Sequence, residues 1–391
     1  MKNILFITDL HGGSRIPIFA GVIEEAAKCG FHAEEIELLR LKAEFATVLD
    51  FWQPAGCIVE GSGNIVPDYG LFEKRGIPVV FIDATPEQAM KESRAKSPFH
   101  AVVNDDMAIA EMALKELIAS GARDFAFVGW TKNVKWSYAR QHAFAGKLTA
   151  IGKTPHVLND SWTLGNKSDF VPHLLPFLRK LPPKCGIFAV NDYFATVILD
   201  LCAAEGFRVP GDFTIVGVDD DSAICDHTHP TLTSIHPNFV NAGRVALRML
   251  VKLIETPDLP EETATYTPLG VTRRLSTRQI ADNTSRKIYE AIDYIRREAC
   301  NGLTANDVVS FMGMPIRSAF GKFKAATGKS IIAEILNVRM EKVFSLLSKP
   351  SQAIEPIANA CGWGSSIYLK RYFKRRTGMT MKEWRKSHLD D

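Results

Sequence analysis

Eight side chains in the first two-thirds of the chain are of the types that hold a small polyhydroxy ligand: Ser14, Arg15, Glu60, Asp105, Trp136, Arg140, Asn191 and Asp219. Asp9 to Arg15, Glu60, Asp105, Trp136, Arg140, Asn191 and Asp219 are the polar residues expected just after short apolar runs that read as buried strands. In open α/β sheets ligands lie outside the carboxyl ends of the strands. Asp and Asn bond vicinal hydroxyls, Arg offers a bidentate fork, and Trp a flat apolar surface for C–H bonds. Each also has a structural reading. Asp105 could cap the helix from Met107, and Asn191 with Asp192 the helix from Ala195. Arg140 could sit in an ion pair and Trp136 in a core. Trp52 and Trp162 have no strand-end placement and read as structural. The run Asp219–Asp221 suits ligand acceptors and a helix cap better than a divalent cation. His227-x-His229 precedes Pro230 in a loop-like stretch, so no metal is expected there. No P-loop, GxSxG, HExxH or dinucleotide motif appears, so no catalytic residue and no cofactor are assigned.

A second constellation lies near the C-terminus, in PIANACGWGSSIYLKRYFKRRTGMTMKEWR from Pro356. A short helix ends at Cys361–Gly362, and Gly362 allows a left-handed turn. Ser365 or Ser366 caps the next helix. Its apolar stripe is Leu369, Tyr372 and Phe373. Its other face carries Ser366, Ile367, Lys370, Arg371, Lys374 and Arg375, with the last two placed for phosphates. The pattern occurs twice. Gly313, Phe323, Lys324, Thr327 and Gly328 recur as Gly362, Phe373, Lys374, Thr377 and Gly378. The earlier copy offers Arg317, Ser318 and Lys322. Two short helices around a Gly turn, the second basic outside, form the pattern that enters the major groove of DNA.

Stepping along the chain, apolar runs alternate with helical periodicity. Strands are expected at Asn3–Thr8, Cys57–Glu60, Val79–Asp83, Phe99–Val103, Phe125–Gly129, Gly186–Val190 and Thr214–Val218. Helices are expected at Ile18–Cys29, Met107–Ala119, Ala195–Glu205 and Asn241–Leu253. This alternation predicts doubly wound parallel sheets in two lobes with a cleft between them. Thr256–Pro268 reads as a loop and Ser276–Ser285 as a linker. The expected domains are 1–275, the linker 276–285, and 286–391.

Charge divides the same way. After residue 270 there are 22 Lys and Arg against 11 Asp and Glu, a net +11; before it 25 stand against 33, a net −8. An acidic body with a basic tail confines any nucleic-acid contact to the tail. The seven cysteines are scattered without a CxxC pair, which fits reduced thiols in a cytoplasmic protein. The N-terminal apolar run is too short for a signal peptide, and no segment approaches the ~20 apolar residues of a membrane span.

The run from about Tyr289 to Trp384 resembles the AraC-type DNA-binding domain, with two helix-turn-helix units joined by a linking helix; IANACGW, YLKRYFK and TGMTMKEWR carry the likeness. The first copy departs from that pattern at Pro315, Arg317 and Ala319. The preceding ~270 residues resemble the sugar-binding body of LacI-type repressors, itself like periplasmic binding proteins. GARDFAFVG, IFAVNDYFA, GFRVPGDFTIVGVDD and PTLTSIHPNF carry that likeness. The resemblance implies a two-lobed α/β body before an all-α reader. It also implies a transcription regulator that is not an enzyme. Its partners would be DNA and a small sugar, a pentose such as xylose first, in a homodimer, with RNA polymerase a candidate partner. Asp105, Arg140, Asn191 and Asp219 match positions that LacI-type bodies use on effectors. Another small polar effector is the second reading. A sugar-processing enzyme is the rival from another class, and it leaves the basic repeat unexplained.

Overall fold

The computed structural model describes residues 2–8, 13–38, 45–61, 67–84, 98–130, 134–158, 167–257, 259–278, 283–347 and 354–389. Trp162 and the loop residues before Gly13 lie outside them. The chain divides into two compact units, Met1–Arg278 and Gln279–Asp391.

The first unit holds two six-stranded sheets. One contains β1 (Lys2–Thr8), β2 (Phe31–Glu37), β3 (Gly56–Glu60), β4 (Val79–Ile82), β5 (His100–Asn104) and β11 (Glu262–Tyr266), in the order β11-β5-β4-β3-β1-β2. The other contains β6 (Asp124–Val128), β7 (His156–Val157), β8 (Cys185–Ala189), β9 (Phe213–Val218), β10 (Thr233–His236) and β12 (Gly270–Thr272), in the order β12-β10-β9-β8-β6-β7. All pairings are parallel except β10 with β12. The central strands are mainly apolar and, apart from Lys2 and Asn3 at the start of β1, buried, as parallel strands covered on both faces must be.

The helices of this unit are α1 (Arg15–Lys28), α2 (Phe45–Trp52), α3 (Gly70–Glu73), α4 (Asp106–Ala119), α5 (Lys135–Thr149), α6 (Lys167–Lys180), α7 (Asp192–Glu205), α8 (Ser222–Cys225) and α9 (Phe239–Glu255). Helices α4, α5, α6 and α7 pack on the second sheet, while α9 returns to the first and lies along α1. Two glycines permit that contact. A Cβ on Gly21 would meet the Val240 carbonyl oxygen at 2.0 Å, and one on Gly243 would meet that of Ile18 at 2.0 Å. Arg248 pairs with Glu25 at 2.7 Å beside it. The chain therefore passes between lobes three times, at 104–106, 236–239 and 266–270.

Two expectations are corrected. Thr256–Pro268 is not a loop: Glu262–Tyr266 forms β11, parallel to β5. It is an edge strand with only Tyr266 buried, so polar residues hide its β character. Ser276 and Thr277, expected in the linker, belong to the body. The Ser276 hydroxyl donates to the Ile215 carbonyl at 2.6 Å, and that of Thr277 donates to Glu116 at 3.0 Å. Residues 279–282 lie outside the described residues, and Asn283 already begins a helix.

The second unit is helical: α10 (Asn283–Glu298), a 3-10 turn (Ala299–Asn301), α11 (Ala305–Met312), α12 (Ile316–Thr327), α13 (Ile331–Leu347), α14 (Ile354–Ala360), α15 (Ser366–Thr377) and α16 (Met381–Leu389). It has two cores. One gathers Ile288, Ile295, Val308, Phe323, Ile331 and Ile335; the other gathers Met340, Val343, Leu347, Trp363, Leu369 and Phe373. Helix α13 contributes to both.

Candidate functional site

The lobe crossings place a chain of carboxylates around one arginine. At the end of β4, Asp83 takes a positive φ of 52° and turns its carboxylate toward the neighbouring strand ends. It accepts from the Asn104 amide at 2.9 Å and from the Tyr266 hydroxyl at 2.6 Å. Burial pushes its pKa up to about 6, against the pull of the Tyr266 hydrogen bond. Arg140, only 3% exposed, reaches across from α5. Its Nε bonds Asp106 at 2.9 Å and its Nη1 donates to the Val190 carbonyl at 2.5 Å. The guanidinium lies 5.3 Å from the centre of the Trp136 ring.

The second lobe adds the residues after β9. Asp219 has a φ of 116°. Its carboxylate makes no hydrogen bond among the described residues. Burial, then the neighbouring Asp192 carboxylate, holds its pKa well above the ordinary range, against the attraction of Arg140. Asp192 is fully buried and satisfied. It accepts from the Ser234 hydroxyl at 2.6 Å, the Asp221 amide at 3.0 Å and the Cys225 thiol at 3.1 Å. Burial still raises its pKa to about 7. Asp220 is taken by Arg274 at 2.8 Å and Thr272 at 2.5 Å. Asp221 faces the other lobe, since a Cβ on Gly13 would lie 3.1 Å from its Oδ2. Gly13, just before α1, and the loop after β9 thus stand on opposite walls of one cleft.

The sequence candidates divide on this geometry. Arg140, Trp136 and Asp219 come together on the second lobe. Asp105 caps α4 through a bond from the Ala108 amide at 2.9 Å, and Asn191 caps α7 through one from Phe194 at 3.1 Å. Glu60 is buried at the end of β3, where Thr8 donates to it at 3.4 Å. Ser14 stands at the start of α1 without a side-chain cap bond. Arg15 turns to the sheet edge, bonding Glu35 at 2.7 Å and reaching Glu37 at 3.5 Å. Sequence reasoning missed Asp83, Asp106, Asp192 and Tyr266. Asp83 and Asp192 also follow strands, so the same strand-end rule finds them. Tyr266 was hidden in the segment read as a loop. Among the described residues, Asn104 Oδ1 after β5, His236 Nδ1 at the end of β10 and Trp130 Nε1 after β6 are buried polar atoms without a hydrogen-bond partner. Such atoms are rare and suit a ligand's hydroxyls or bound water.

In the second unit, Gly362 has a φ of 69° and Gly313 a φ of 56°, so both turns need glycine. The helix after each turn buries a Phe, Phe323 in α12 and Phe373 in α15. Each helix ends on a Thr whose hydroxyl donates to that Phe carbonyl, Thr327 at 2.8 Å and Thr377 at 2.9 Å. On α15, Ile367, Lys370, Arg371, Lys374 and Arg375 are exposed on one side, with Leu369 and Phe373 opposite. Ser366 is half-buried on the flank, and Ser365 supplies the cap, bonding the Tyr368 amide at 3.4 Å. Arg375 lies 5.3 Å from the Tyr372 ring centre. On α12, Arg317 and Lys322 are exposed and Ser318 half-buried. Pro315 occupies the cap position, and the helix begins after it.

Comparison with known proteins agrees with both units. A family profile for the periplasmic binding protein-like domain matches residues 114–277, and one for a helix-turn-helix domain matches 308–387. The chain joins a LacI-like body to an AraC-type reader, and so is a DNA-binding transcription regulator. Among named proteins it is similar to the xylose operon regulatory protein of Escherichia coli K12, 29% identical over 292 residues, 74% of each chain. The protein of that name from Haemophilus influenzae is 28% identical over 291 residues, 73% of this chain and 75% of its own. These relatives regulate transcription and are not enzymes. In fold, the chain matches the structure of the xylose-binding transcription activator xylR over 98% of both chains, with a TM-score of 0.57 and 24% identity. No helix among the described residues is long and apolar enough to cross a membrane.

Proposed function

We propose that the cleft binds a monosaccharide, with the pentose xylose first, and that the ligand controls DNA binding by a cytoplasmic homodimer. The observation that carries the reading is Asp219. Its part-buried carboxylate makes no hydrogen bond among the described residues and feels the charge of Arg140, whose guanidinium lies over the Trp136 ring. A sugar hydroxyl donating to Asp219 and a C–H face against Trp136 would satisfy that arrangement. The relatives' names favour xylose over other sugars. Ligand control follows if the closed cleft holds the sugar more tightly than the open one, since only differential affinity shifts a conformational equilibrium.

The test is a thermal-unfolding screen of the full chain against monosaccharides, followed by calorimetry. A ligand at 100 times its dissociation constant adds about 2.7 kcal/mol of stability. D-xylose is expected to raise the unfolding temperature more than hexoses do. Stabilisation by a nucleoside and by no sugar would overturn the reading in favour of another polar effector.

A further inference from the structure

The two cores of the second unit meet along helix α13. Helix α13 gives Ile331 and Ile335 to the first core and Met340, Val343 and Leu347 to the second. Arg339 stands at the changeover. Its Nε donates to the Ala299 carbonyl at 2.6 Å and its Nη2 to the Leu303 carbonyl at 2.9 Å. These carbonyls flank the turn where α10 ends, at Gly302 with a φ of 82°. Carbonyls at a helix end have no partner within the helix, and a cation there is favoured by the helix dipole.

The same turn touches the second half from the other side. A Cβ on Gly362 would lie 2.6 Å from the Cys300 carbonyl oxygen and 2.8 Å from Cys300 Cα. The Cys300 side chain packs on the second core. The turn 299–303 is therefore a wedge. It belongs by sequence to the first half, rests on the Gly362 turn of the second, and is pinned to the connecting helix by Arg339.

We propose that Arg339 is the positioning residue that fixes recognition helices α12 and α15 relative to each other, and with them the spacing of the two DNA segments they read. It touches no DNA in this role. Without the guanidinium, α13 still joins the two cores, but the wedge is held only by packing. The inference rests on the second unit being a DNA reader.

The experiment uses the full chain and duplexes that it enriches from a random library. The two contacted segments are mapped by footprinting, and variants are made with one base pair added or removed between them. One base pair rotates the second segment by about 35°, since a turn is about 10–10.5 base pairs. The native protein is expected to bind the altered duplexes about tenfold more weakly, about 1.4 kcal/mol. In Arg339→Ala that penalty falls to about twofold. In Arg339→Gln, which keeps one amide donor, it is intermediate. An unchanged penalty in Arg339→Ala overturns the proposal, as does an equal loss on every duplex. If Arg339→Ala fails to fold by circular dichroism, Arg339→Gln is judged by the same two outcomes. A library that yields no enriched duplex overturns the DNA-reading assignment itself, and this role with it.

Discussion

Arg140 and Asp219 are neighbours with different duties, and substitution separates them. Arg140→Ala leaves Asp106 as a buried carboxylate without its partner and frees the Val190 carbonyl. Breaking a buried pair from one side costs about 3–5 kcal/mol. Asp219→Ala removes a carboxylate that makes no hydrogen bond among the described residues, so it is expected to abolish sugar binding at little cost in stability. Urea unfolding and calorimetry on both variants check this; equal destabilisation would contradict the assignment. Asp83 carries a pH prediction. Its folded pKa of about 6 lies above the ordinary carboxylate value. The folded state therefore holds its proton more tightly, and the resulting stability is present at low pH and lost as pH rises through about 6. Asp83→Asn keeps an acceptor for Tyr266 and is expected to flatten the fall in stability between pH 4.5 and pH 7. An unchanged slope would show that Asp83 does not titrate there. At this scale the sequence was half legible. Strand-end placement singled out Asp219, Asp105 and Asn191 alike; Asp105 and Asn191 also cap helices, and a cap and a ligand acceptor share residue types and position, so sequence alone does not separate the two. Arg140's partners Asp106 and Val190 are remote in sequence from it, and only the fold brings them together.

The elements of the basic tail were the most legible, because each recurring residue acts locally. Gly362 makes its turn, Phe373 fills the core beneath it, and Thr377 closes the helix. The reach of Arg376 to Asn337 on α13, at 2.6 Å, was not legible, since it depends on how α13 lies against α15. Helix α15 yields a paired prediction. Arg371, exposed beside Ile367, is placed to fork onto a guanine edge. Arg371→Ala is expected to cost about 1–3 kcal/mol and to relax preference at one base pair. Arg375, at the helix end over Tyr372, is placed for phosphate. Arg375→Ala is expected to weaken all sequences alike and to lower the salt slope by about one. Titrations on matched and mismatched duplexes at several salt concentrations distinguish them. A uniform loss for Arg371→Ala would make it a phosphate clamp. The body was less legible at its margins. Strand β2, FHAEEIE, and strand β11 are polar edge strands, and neither has the apolar run that marked the buried ones.

Charge separates the whole molecule into a body of −8 and a tail of +11. Like-charged tails repel, so a homodimer is expected to be held by the bodies. Sedimentation of residues 1–278 at tens of micromolar is expected to give a dimer; a monomer with and without sugar would place the contact elsewhere. The three passages between lobes bear on how the chain is made. The second lobe is nearly continuous, from Asp106 to His236, and lacks only the short segment Gly270–Arg278 with strand β12. The first lobe is not. Its sheet begins with the first residues of the chain, yet α9, which covers α1 through Gly21 and Gly243, arrives more than 200 residues later. Strand β11, which closes the sheet edge, comes later still. During synthesis the first lobe stands with its apolar face on α1 bare until Glu255 has emerged, while the second lobe can already close. Contacts so distant in sequence are slow to form. The N-terminal lobe therefore waits longest for the helix that covers it, with its apolar face exposed to aggregation on the way.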